Sequence, residues 1–312
     1  MPVAIRPAAP REAAPLLKAS HALMRSLFPA EANHFLDIDR LAAPNIRFLV
    51  AEEEGALLGC AALRISPEYG EVKSMFVAPE ARGKGAGAAL LAALEAEAKA
   101  AGLPALRLET GTGLDAAHRL YRAAGFVDCG PFGDYEESPY SLFMEKPLPA
   151  PPVRRAGPGE DWAAVRALVA EAFAYMEGRI DPPSSLHCWT AETFAAEADA
   201  GAAFIAEAGG RPVACLFAKP EGDALHIGKV AVANAWRGRG LARVLIEAAE
   251  AEARALGLST LTLGSRIELA ETHAAFAALG FARTGESAHP GFDRPTSISM
   301  ARPLNRPPLP VT

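Results

Sequence analysis

Two short turns rich in glycine and basic residues are the segments of this chain best suited to chemistry. They read Arg82-Gly83-Lys84-Gly85-Ala86-Gly87 and Arg237-Gly238-Arg239-Gly240-Leu241-Ala242. A turn that leaves a strand and opens a helix directs unpaired backbone N–H groups at one point, at the positive end of the helix dipole. Glycine lets an anion approach the backbone closely, and basic side chains add charge-assisted contacts. Both turns therefore predict a phosphate or diphosphate site.

Neither turn matches the common nucleotide-binding patterns. Lys84 is followed by Gly85 rather than by the serine or threonine of a P-loop. The third glycine of the dinucleotide pattern G-x-G-x-x-G is absent from both turns. One such turn would be explained equally well as a tight structural turn. Two copies, each between a strand and a helix rich in alanine and leucine, favour a ligand site.

The turns belong to a duplicated segment. Residues 71–126 and 226–281 align without a gap at a constant offset of 155 residues, the interval from Arg82 to Arg237. Each copy predicts a strand, the turn, a helix, a second strand and a second helix. The predicted strands are 71–77, 226–232, 106–109 and 261–263, and the predicted helices are 88–101, 243–256, 115–124 and 270–279. Solenoid repeats are only about 20 to 50 residues long, so this duplication indicates two domains.

A proline-rich stretch marks the predicted domain boundary. Residues 146–152 read Lys-Pro-Leu-Pro-Ala-Pro-Pro, which disfavours helix and central strand and predicts a short, stiff linker. We expect one domain over 1–148 and another over 153–305. Each opens with a short strand followed by a helical stretch, 11–28 in the first and 161–176 in the second.

Composition limits the class of protein. The 312 residues are 50% hydrophobic and 22% charged, which is typical of globular domains with a core in each half. The N-terminus lacks the apolar run of a signal peptide, and no segment approaches the roughly 18 apolar residues of a membrane span. We therefore expect a cytoplasmic protein without a membrane partner.

Charge and cysteine content argue against two further classes of site. The net charge is −6 and the basic residues form no long stripe, so we expect no nucleic-acid partner. The four cysteines, Cys60, Cys129, Cys188 and Cys215, lack C-x-x-C spacing. Reduced, partly buried thiols are expected rather than a metal site or a disulfide framework.

The sequence resembles the GNAT superfamily of acyl-CoA-dependent N-acyltransferases. The characteristic family turn, Q/R-x-x-G-x-G/A, binds the pyrophosphate of coenzyme A and matches both turns here. A second family feature, L-Y-x-x-x-G-F, matches residues 120–126. The resemblance covers nearly the whole chain. It implies an α/β (α+β) fold of two tandem GNAT-like domains, each with a central mixed, mostly antiparallel sheet flanked by helices.

The resemblance also implies where the expected co-substrate, acetyl-CoA, binds. In this family the strand before the turn diverges from its neighbour and pairs through its backbone with the pantetheine arm. A backbone N–H there is the usual donor to the thioester oxyanion. The implied coenzyme-binding residues are Met75, Phe76, Val77, Arg82, Gly83, Lys84, Gly85, Ala86, Gly87, Val230, Ala231, Val232, Arg237, Gly238, Arg239, Gly240, Leu241 and Ala242.

Acetyl transfer to an amine requires a proton acceptor for the amine. Glu71 lies eleven residues before Arg82, where the histone-acetyltransferase branch of the family has its glutamate base, and His226 lies eleven before Arg237. Either side chain can accept a proton directly or through water. Each is equally well explained as a structural strand residue. Glu109, on the next strand, is a rival base in the first repeat.

The departing thiolate needs a proton donor, and Tyr121 is the predicted one. A phenol with a pKa near 10 can protonate a thiolate, and the family places this residue beside the sulfur. The second repeat has Phe276 at the equivalent position, which has no proton to give. His118 and His273 lie three residues before these positions, so they share a helix face with them. Both histidines are suggestive, but capping or surface roles explain them as well.

We therefore expect two GNAT-like domains that transfer acetyl from acetyl-CoA to an amine by direct attack, with the first domain catalytic and Tyr121, Glu71 and His226 as catalytic candidates. The late segments 131–137 and 289–294, which the resemblance implies in acceptor recognition, differ in charge, so that either the two domains have different substrates or only one of them is active. Two alternatives remain open. In the first, the chain is a non-catalytic acyl-CoA-binding or scaffold protein. In the second, catalysis is confined to the second domain. A monomer or homodimer is expected.

Overall fold

The computed structural model describes residues 3–304, and these divide into two compact units on either side of the bond between Pro149 and Ala150. The sequence-predicted bounds placed the end of the first domain at 148 and the start of the second at 153. Residue 305, the predicted end of the second domain, lies outside the described residues. Within residues 3–304, no helix has the length and apolar character that crossing a membrane requires.

The first unit is a mixed seven-stranded sheet with the order β1-β2-β3-β4-β5-β7-β6. Every neighbouring pair is antiparallel except β4 and β5, which are parallel. The elements are β1 (Ala4–Pro7), α1 (Ala14–Leu27), α2 (Ile38–Leu41), β2 (Ile46–Glu53), β3 (Ala56–Ile65), β4 (Gly70–Val77), α3 (Ala86–Ala100), β5 (Ala105–Gly111), α4 (Asp115–Ala123), β6 (Val127–Cys129) and β7 (Ser141–Pro147).

The second unit repeats this arrangement with the order β13-β14-β12-β11-β10-β9-β8. Its single parallel pair is β11 with β12. The elements are β8 (Val153–Arg155), α5 (Trp162–Phe173), α6 (Ala191–Asp199), β9 (Ala202–Ala208), β10 (Arg211–Glu221), β11 (Ala224–Val232), α7 (Leu241–Ala255), β12 (Thr260–Arg266), α8 (Ala270–Ala278), β13 (Ala282–Ser287) and β14 (Ser297–Pro303). The predicted fold of two mixed, mostly antiparallel sheets flanked by helices is confirmed.

Each sheet buries both of its faces. In the first unit, α3 contributes Leu90 and Leu94 to a core that contains Leu63 of β3 and Leu106 of β5. The opposite face is covered by α1, whose Leu17 packs with side chains of β2 and β3. Burial on both faces explains why these strands are near-continuous apolar runs rather than alternating ones.

Candidate functional site

Each glycine turn places a left-handed glycine at the first position before a helix. Gly85 is the N-cap of α3 with φ +85°, and Gly240 is the N-cap of α7 with φ +81°. The first helical hydrogen bond in α3 runs from the N–H of Ala89 to the carbonyl of Gly85. The N–H groups of Ala86, Gly87 and Ala88 therefore have no acceptor within the helix. This donor set fits a phosphate, as the sequence predicts.

The basic side chains of the two turns have different surroundings. Lys84 lies 2.9 Å from a carboxylate oxygen of Glu53, and this contact lowers the pKa of Glu53. Arg82 is exposed at the mouth of the turn. In the second unit, the guanidinium of Arg237 donates to the carbonyl of Val232 at 3.3 Å and to that of Ala172 at 3.0 Å. The second turn is thus tied to its own strand and to α5.

The two parallel strands of the first unit separate in front of the turn. β4 and β5 pair only at Gly70 with Leu106 and at Glu71 with Arg107. Beyond Glu71 a cavity of about 930 Å³ opens between them and extends to the glycine turn and α4. Predicted coenzyme contacts Met75, Phe76 and Val77 line it. Their backbone on this side has no partner strand, so an extended, amide-bearing ligand can pair with it.

A bulge redirects β4 at the start of this gap. The β3–β4 register shifts between Cys60 and Ala62, and Ser74 adopts φ +50°. The Cys60 thiol donates to the carbonyl of Ser74 at 3.7 Å, and burial raises the pKa of this thiol to about 12. Such a bulge bends the strand and re-aims the following N–H groups.

The second unit has the same bulge. Lys229 adopts φ +50°, and the thiol of Cys215 donates to its carbonyl at 3.6 Å. Cys60 and Cys215 are separated by the repeat offset, so the supporting thiol is duplicated together with the bulge. The sequence prediction of reduced thiols did not foresee this role.

Tyr121 of α4 lines the cavity and is 8% exposed. Its ring packs edge-to-face with Phe126 at 5.9 Å between centroids. Burial, followed by the negative charge of Glu109, raises the pKa of Tyr121 to about 12. The phenol therefore keeps its proton throughout the neutral range.

Glu71 lies in a buried ion cluster. Its carboxylate is 2.6 Å from Arg64 and 3.2 Å from Lys73, and it accepts a hydrogen bond from the hydroxyl of Tyr135 at 2.6 Å. Lys73 donates to the same hydroxyl at 2.5 Å. Of these four side chains, Lys73 lines the cavity and Glu71 does not. The role of Glu71 as a base stays a prediction.

Glu109 of β5 has a different setting from Glu71. It lines the cavity, and its carboxylate accepts one hydrogen bond, from the hydroxyl of Ser141 at 2.7 Å. Its charge acts on both Tyr121 and Tyr135, so it lies near both phenols. The sequence pointed to Glu109 only as a rival base. It gave no signal for Arg64, and it placed Tyr135 only in the late segment 131–137, without its contact to Glu71.

The two repeated histidines have structural contacts. The Nε2 atom of His118 lies 3.0 Å from the carbonyl oxygen of Gly111 at the end of β5. In the second unit, Nε2 of His273 lies 2.9 Å from the carbonyl oxygen of Arg266 at the end of β12. Each histidine thus ties its helix to the strand before it.

The second unit differs in its ionisable residues. β11 and β12 pair as far as His226 with Thr262, and the Nδ1 atom of His226 lies 3.3 Å from the Thr262 hydroxyl. At the repeat offset, the positions of Lys73, Glu109 and Tyr121 are taken by Gly228, Gly264 and Phe276. The second unit therefore has the turn and the bulge but lacks these three polar side chains.

Comparison with known proteins identifies the fold family. The family model of the acetyltransferase (GNAT) family matches residues 17–126 and 162–281. An IAA acetyltransferase of Azospirillum brasilense is 57% identical over 124 residues, which cover 39% of this chain and 81% of that protein. The N-acetyltransferase YsnE of Bacillus subtilis is 38% identical over 128 residues, covering 40% of this chain and 85% of its own.

A solved structure described as an acyl-CoA N-acyltransferase of Klebsiella pneumoniae is 34% identical, with a TM-score of 0.40, and covers 47% of this chain and 97% of its own. Each of these relatives therefore matches less than half of this chain but most of its own length. The two family matches together span more than half of the residues, and the chain belongs to the GNAT acetyltransferase family as a tandem pair of domains.

Proposed function

We propose that the first domain is an N-acetyltransferase that moves acetyl from acetyl-CoA to an amine by direct attack. The observation that supports this best is the cavity between β4 and β5, because one continuous space is lined by the glycine turn, by Glu109 and by Tyr121. Coenzyme, base and acid are thus adjacent. The named relatives are acetyltransferases, which agrees with this choice of donor.

In this proposal the coenzyme binds along the separated strand and the turn. The N–H groups at the start of α3 and the side chain of Arg82 contact the diphosphate, and the backbone of 75–77 pairs with the pantetheine arm. We propose that the equivalent residues of the second domain, 230–232 and 237–242, bind the coenzyme in the same way. The thioester supplies an activated acetyl group, and the protein supplies the position and the proton transfers.

Two carboxylates are candidates for the base. Glu71 is the candidate from the sequence, and Glu109 is favoured by its place on the cavity wall and by its single hydroxyl donor. Burial is the larger cause of the raised pKa of Tyr121, and protonation of Glu109 would remove the second cause, the negative charge of its carboxylate. Uptake of the amine proton would then make Tyr121 a stronger acid as the thiolate departs.

For the second domain we propose coenzyme binding without turnover, so His226 is a weaker candidate base than either glutamate. The proposal is supported by the absence, in the second domain, of residues equivalent to Lys73, Glu109 and Tyr121. The alternative of acyl-CoA binding without catalysis is thus proposed for the second domain only.

The test of the proposal is release of free thiol from acetyl-CoA by the full chain, followed across a panel of amines. We expect amine-dependent thiol release together with an N-acetylated product of matching mass. Saturable acetyl-CoA binding without thiol release on any amine would favour a binding protein, and no acetyl-CoA binding by the folded chain would contradict the proposal outright.

A further inference from the structure

Lys73 and Glu109 face each other across the gap between β4 and β5. The last backbone pair joins Glu71 to Arg107, and Lys73 and Glu109 each lie two residues beyond it on their strands. Side chains two residues apart on a strand share one face of the sheet. Tyr135 contacts Lys73 directly and feels the charge of Glu109, which agrees with a shared face. A cation and an anion thus line opposite sides of one cavity.

The positive charge at Lys73 is not fully balanced within its own cluster. Arg64 and Lys73 share the single carboxylate of Glu71, at 2.6 and 3.2 Å. The neighbouring Arg107 is already paired with Glu145 at 2.6 Å. Lys73 is 9% exposed, so water screens its charge weakly, and Lys73 is one of the residues that line the cavity. A ligand carboxylate at this place would supply the missing negative charge.

Glu109 has the opposite requirement. Within residues 3–304 no lysine or arginine forms an ion pair with it, and among these residues Ser141 alone donates a hydrogen bond to it. The negative charge of Glu109 would neutralise an ammonium group bound there. Glu109 would then no longer offset the excess positive charge around Lys73. An acceptor with both an ammonium and a carboxylate group leaves the charges of these side chains balanced, whereas a simple amine adds one positive charge beside the buried Lys73.

The rest of the acceptor side is largely apolar. Leu23, Met24 and Leu27 of α1 line the cavity, and so do Phe28 and Phe35 in the segment after it, with Ser20, Asn33 and His34 as the polar residues of this side. Leu27 is 51% exposed. The Phe28 ring lies against Gly111, where any side chain would overlap it. This wall suits an apolar side chain better than a second charge.

We propose that the acceptor is a free α-amino acid with a large apolar side chain, its ammonium group at Glu109, its carboxylate at Lys73 and its side chain against the α1 wall. The inference rests on the proposed N-acetyltransferase function and names its substrate class. Lys73 is a specificity-determining residue in this scheme.

The reaction balances with the residues named. The ammonium loses one proton to Glu109, and the amine nitrogen then attacks the acetyl carbonyl. The new C–N bond forms as the C–S bond breaks, and the thiolate takes a proton from Tyr121. The second amine proton restores Tyr121, and the proton on Glu109 returns to solvent. The products are an N-acetylamino acid, coenzyme A thiol and one proton.

The experiment compares amines that share one side chain and differ only at the carboxylate. Thiol release by the full chain is measured with phenylalanine, phenylalaninamide, phenylalanine methyl ester and phenethylamine. A charged hydrogen bond contributes about 1.5 to 3 kcal/mol, so we expect kcat/KM for phenylalanine to exceed that for phenethylamine by about 10- to 100-fold. Leucine is expected to be used at least about 10-fold better than aspartate, because an apolar wall rejects a second carboxylate.

Lys73→Met is expected to reduce the phenylalanine-to-phenethylamine ratio to about 1, mainly through KM, and Lys73→Arg is expected to retain part of it. Lys18→Met is the matched control, because Lys18 is an exposed lysine of α1 outside the cavity lining. Melting curves and acetyl-CoA titration verify that each variant folds and binds the coenzyme.

The possible failures are distinguishable. Equal use of phenylalanine, its amide, its ester and phenethylamine would overturn the inference, and so would an unchanged ratio in a folded Lys73→Met variant. Turnover only with amines that lack a carboxylate would overturn it too, while leaving the proposed function intact. Absence of acetyl-CoA binding and of thiol release with every amine would instead sink the proposed function.

Discussion

Tyr121 and Glu109 approach the cavity of the first domain from opposite faces of the sheet. Tyr121 belongs to the core on the α3 side, whereas Glu109 shares its strand face with Arg107, whose guanidinium lies over Phe132. A coenzyme that enters the gap would therefore have Glu109 on one side of the sheet and Tyr121 on the other. The two proton transfers are thereby separated in space, which favours distinct roles for the two residues.

Substitution Tyr121→Phe removes the proposed acid while the ring still fills its site. We expect kcat to fall about 100-fold with little change in acetyl-CoA affinity, because general acid catalysis typically contributes 10² or more. The pKa of about 12 predicts that Tyr121 itself limits activity only near that pH, since a raised pKa keeps the phenol protonated below it. Steady-state kinetics and calorimetry provide the check; unchanged turnover would remove Tyr121 from the chemistry.

The paired variants Glu109→Gln and Glu71→Gln separate the two candidate bases. We expect Glu109→Gln to lower kcat about 100-fold and to keep the melting temperature near that of the parent. Glu71→Gln should instead lower the melting temperature, because it leaves the buried Lys73 and the half-buried Arg64 without their shared carboxylate. Activity and melting are measured on both variants. Loss of kcat in a normally folded Glu71→Gln variant would return the base to Glu71.

At the residue level the sequence indicated candidate residues but not their partners. The L-Y-x-x-x-G-F feature pointed to Tyr121, and a place on the next strand pointed to Glu109; both roles stay predictions. The contacts of Glu71 were not predicted, because Arg64 and Tyr135 reach it only through strand pairing and a distant loop. The location of Lys73 beside Glu71 was predictable from the sequence, because residues two apart on a strand lie on the same face of the sheet.

At the scale of elements, both domains share the glycine turn and the helix that follows it. Gly85 and Gly240 adopt almost the same left-handed conformation, with φ +85° and +81°. A β-branched residue there is strained by roughly 1 to 3 kcal/mol and also places carbon atoms where the phosphate is expected to bind. Both effects oppose coenzyme binding.

Gly85→Val and Gly240→Val are therefore a matched pair. We expect the parent chain to bind two acetyl-CoA molecules and each variant to lose one, with affinity at the altered site reduced at least 10-fold. Calorimetric stoichiometry measures this directly. Two intact sites in a folded Gly85→Val chain would show that the first turn does not bind the coenzyme.

Elements with strong end signals were predictable. The sequence-predicted helices 88–101 and 243–256 correspond to α3 and α7, which are followed by glycines with positive φ at Gly102 and Gly257. The hairpins β2–β3 and β9–β10 were not predicted. Their residues are buried on both faces, so they lack the alternation that reveals a strand.

At the scale of the whole molecule, duplication preserved the scaffold and not the ionisable residues. Both domains have the sheet order, the turn, the bulge and its cysteine, but Gly228, Gly264 and Phe276 replace the polar side chains of the first cavity. Backbone features survive such replacement because they depend on few side chains. We therefore expect unequal contributions to turnover.

His226→Gln tests this inequality in the full chain. We expect it to retain most of the parental turnover, within about twofold, while Tyr121→Phe loses nearly all of it. The measurement is kcat with one accepted amine, after melting curves have verified the fold of both variants. A loss of more than about 90% in His226→Gln would assign catalysis to the second domain.

The short pairing of β4 with β5 has a mechanical consequence. Because backbone bonding between these strands ends at Glu71, the first sheet has a seam, with β1 to β4 on one side and β5 to β7 on the other. A ligand that forms hydrogen bonds along the open edge of β4 would lie between the two parts of the sheet and contact both. At a concentration 100 times its dissociation constant it would add about 2.7 kcal/mol to the free energy of unfolding of the first domain. The stability of this domain would thus depend on the concentration of the coenzyme.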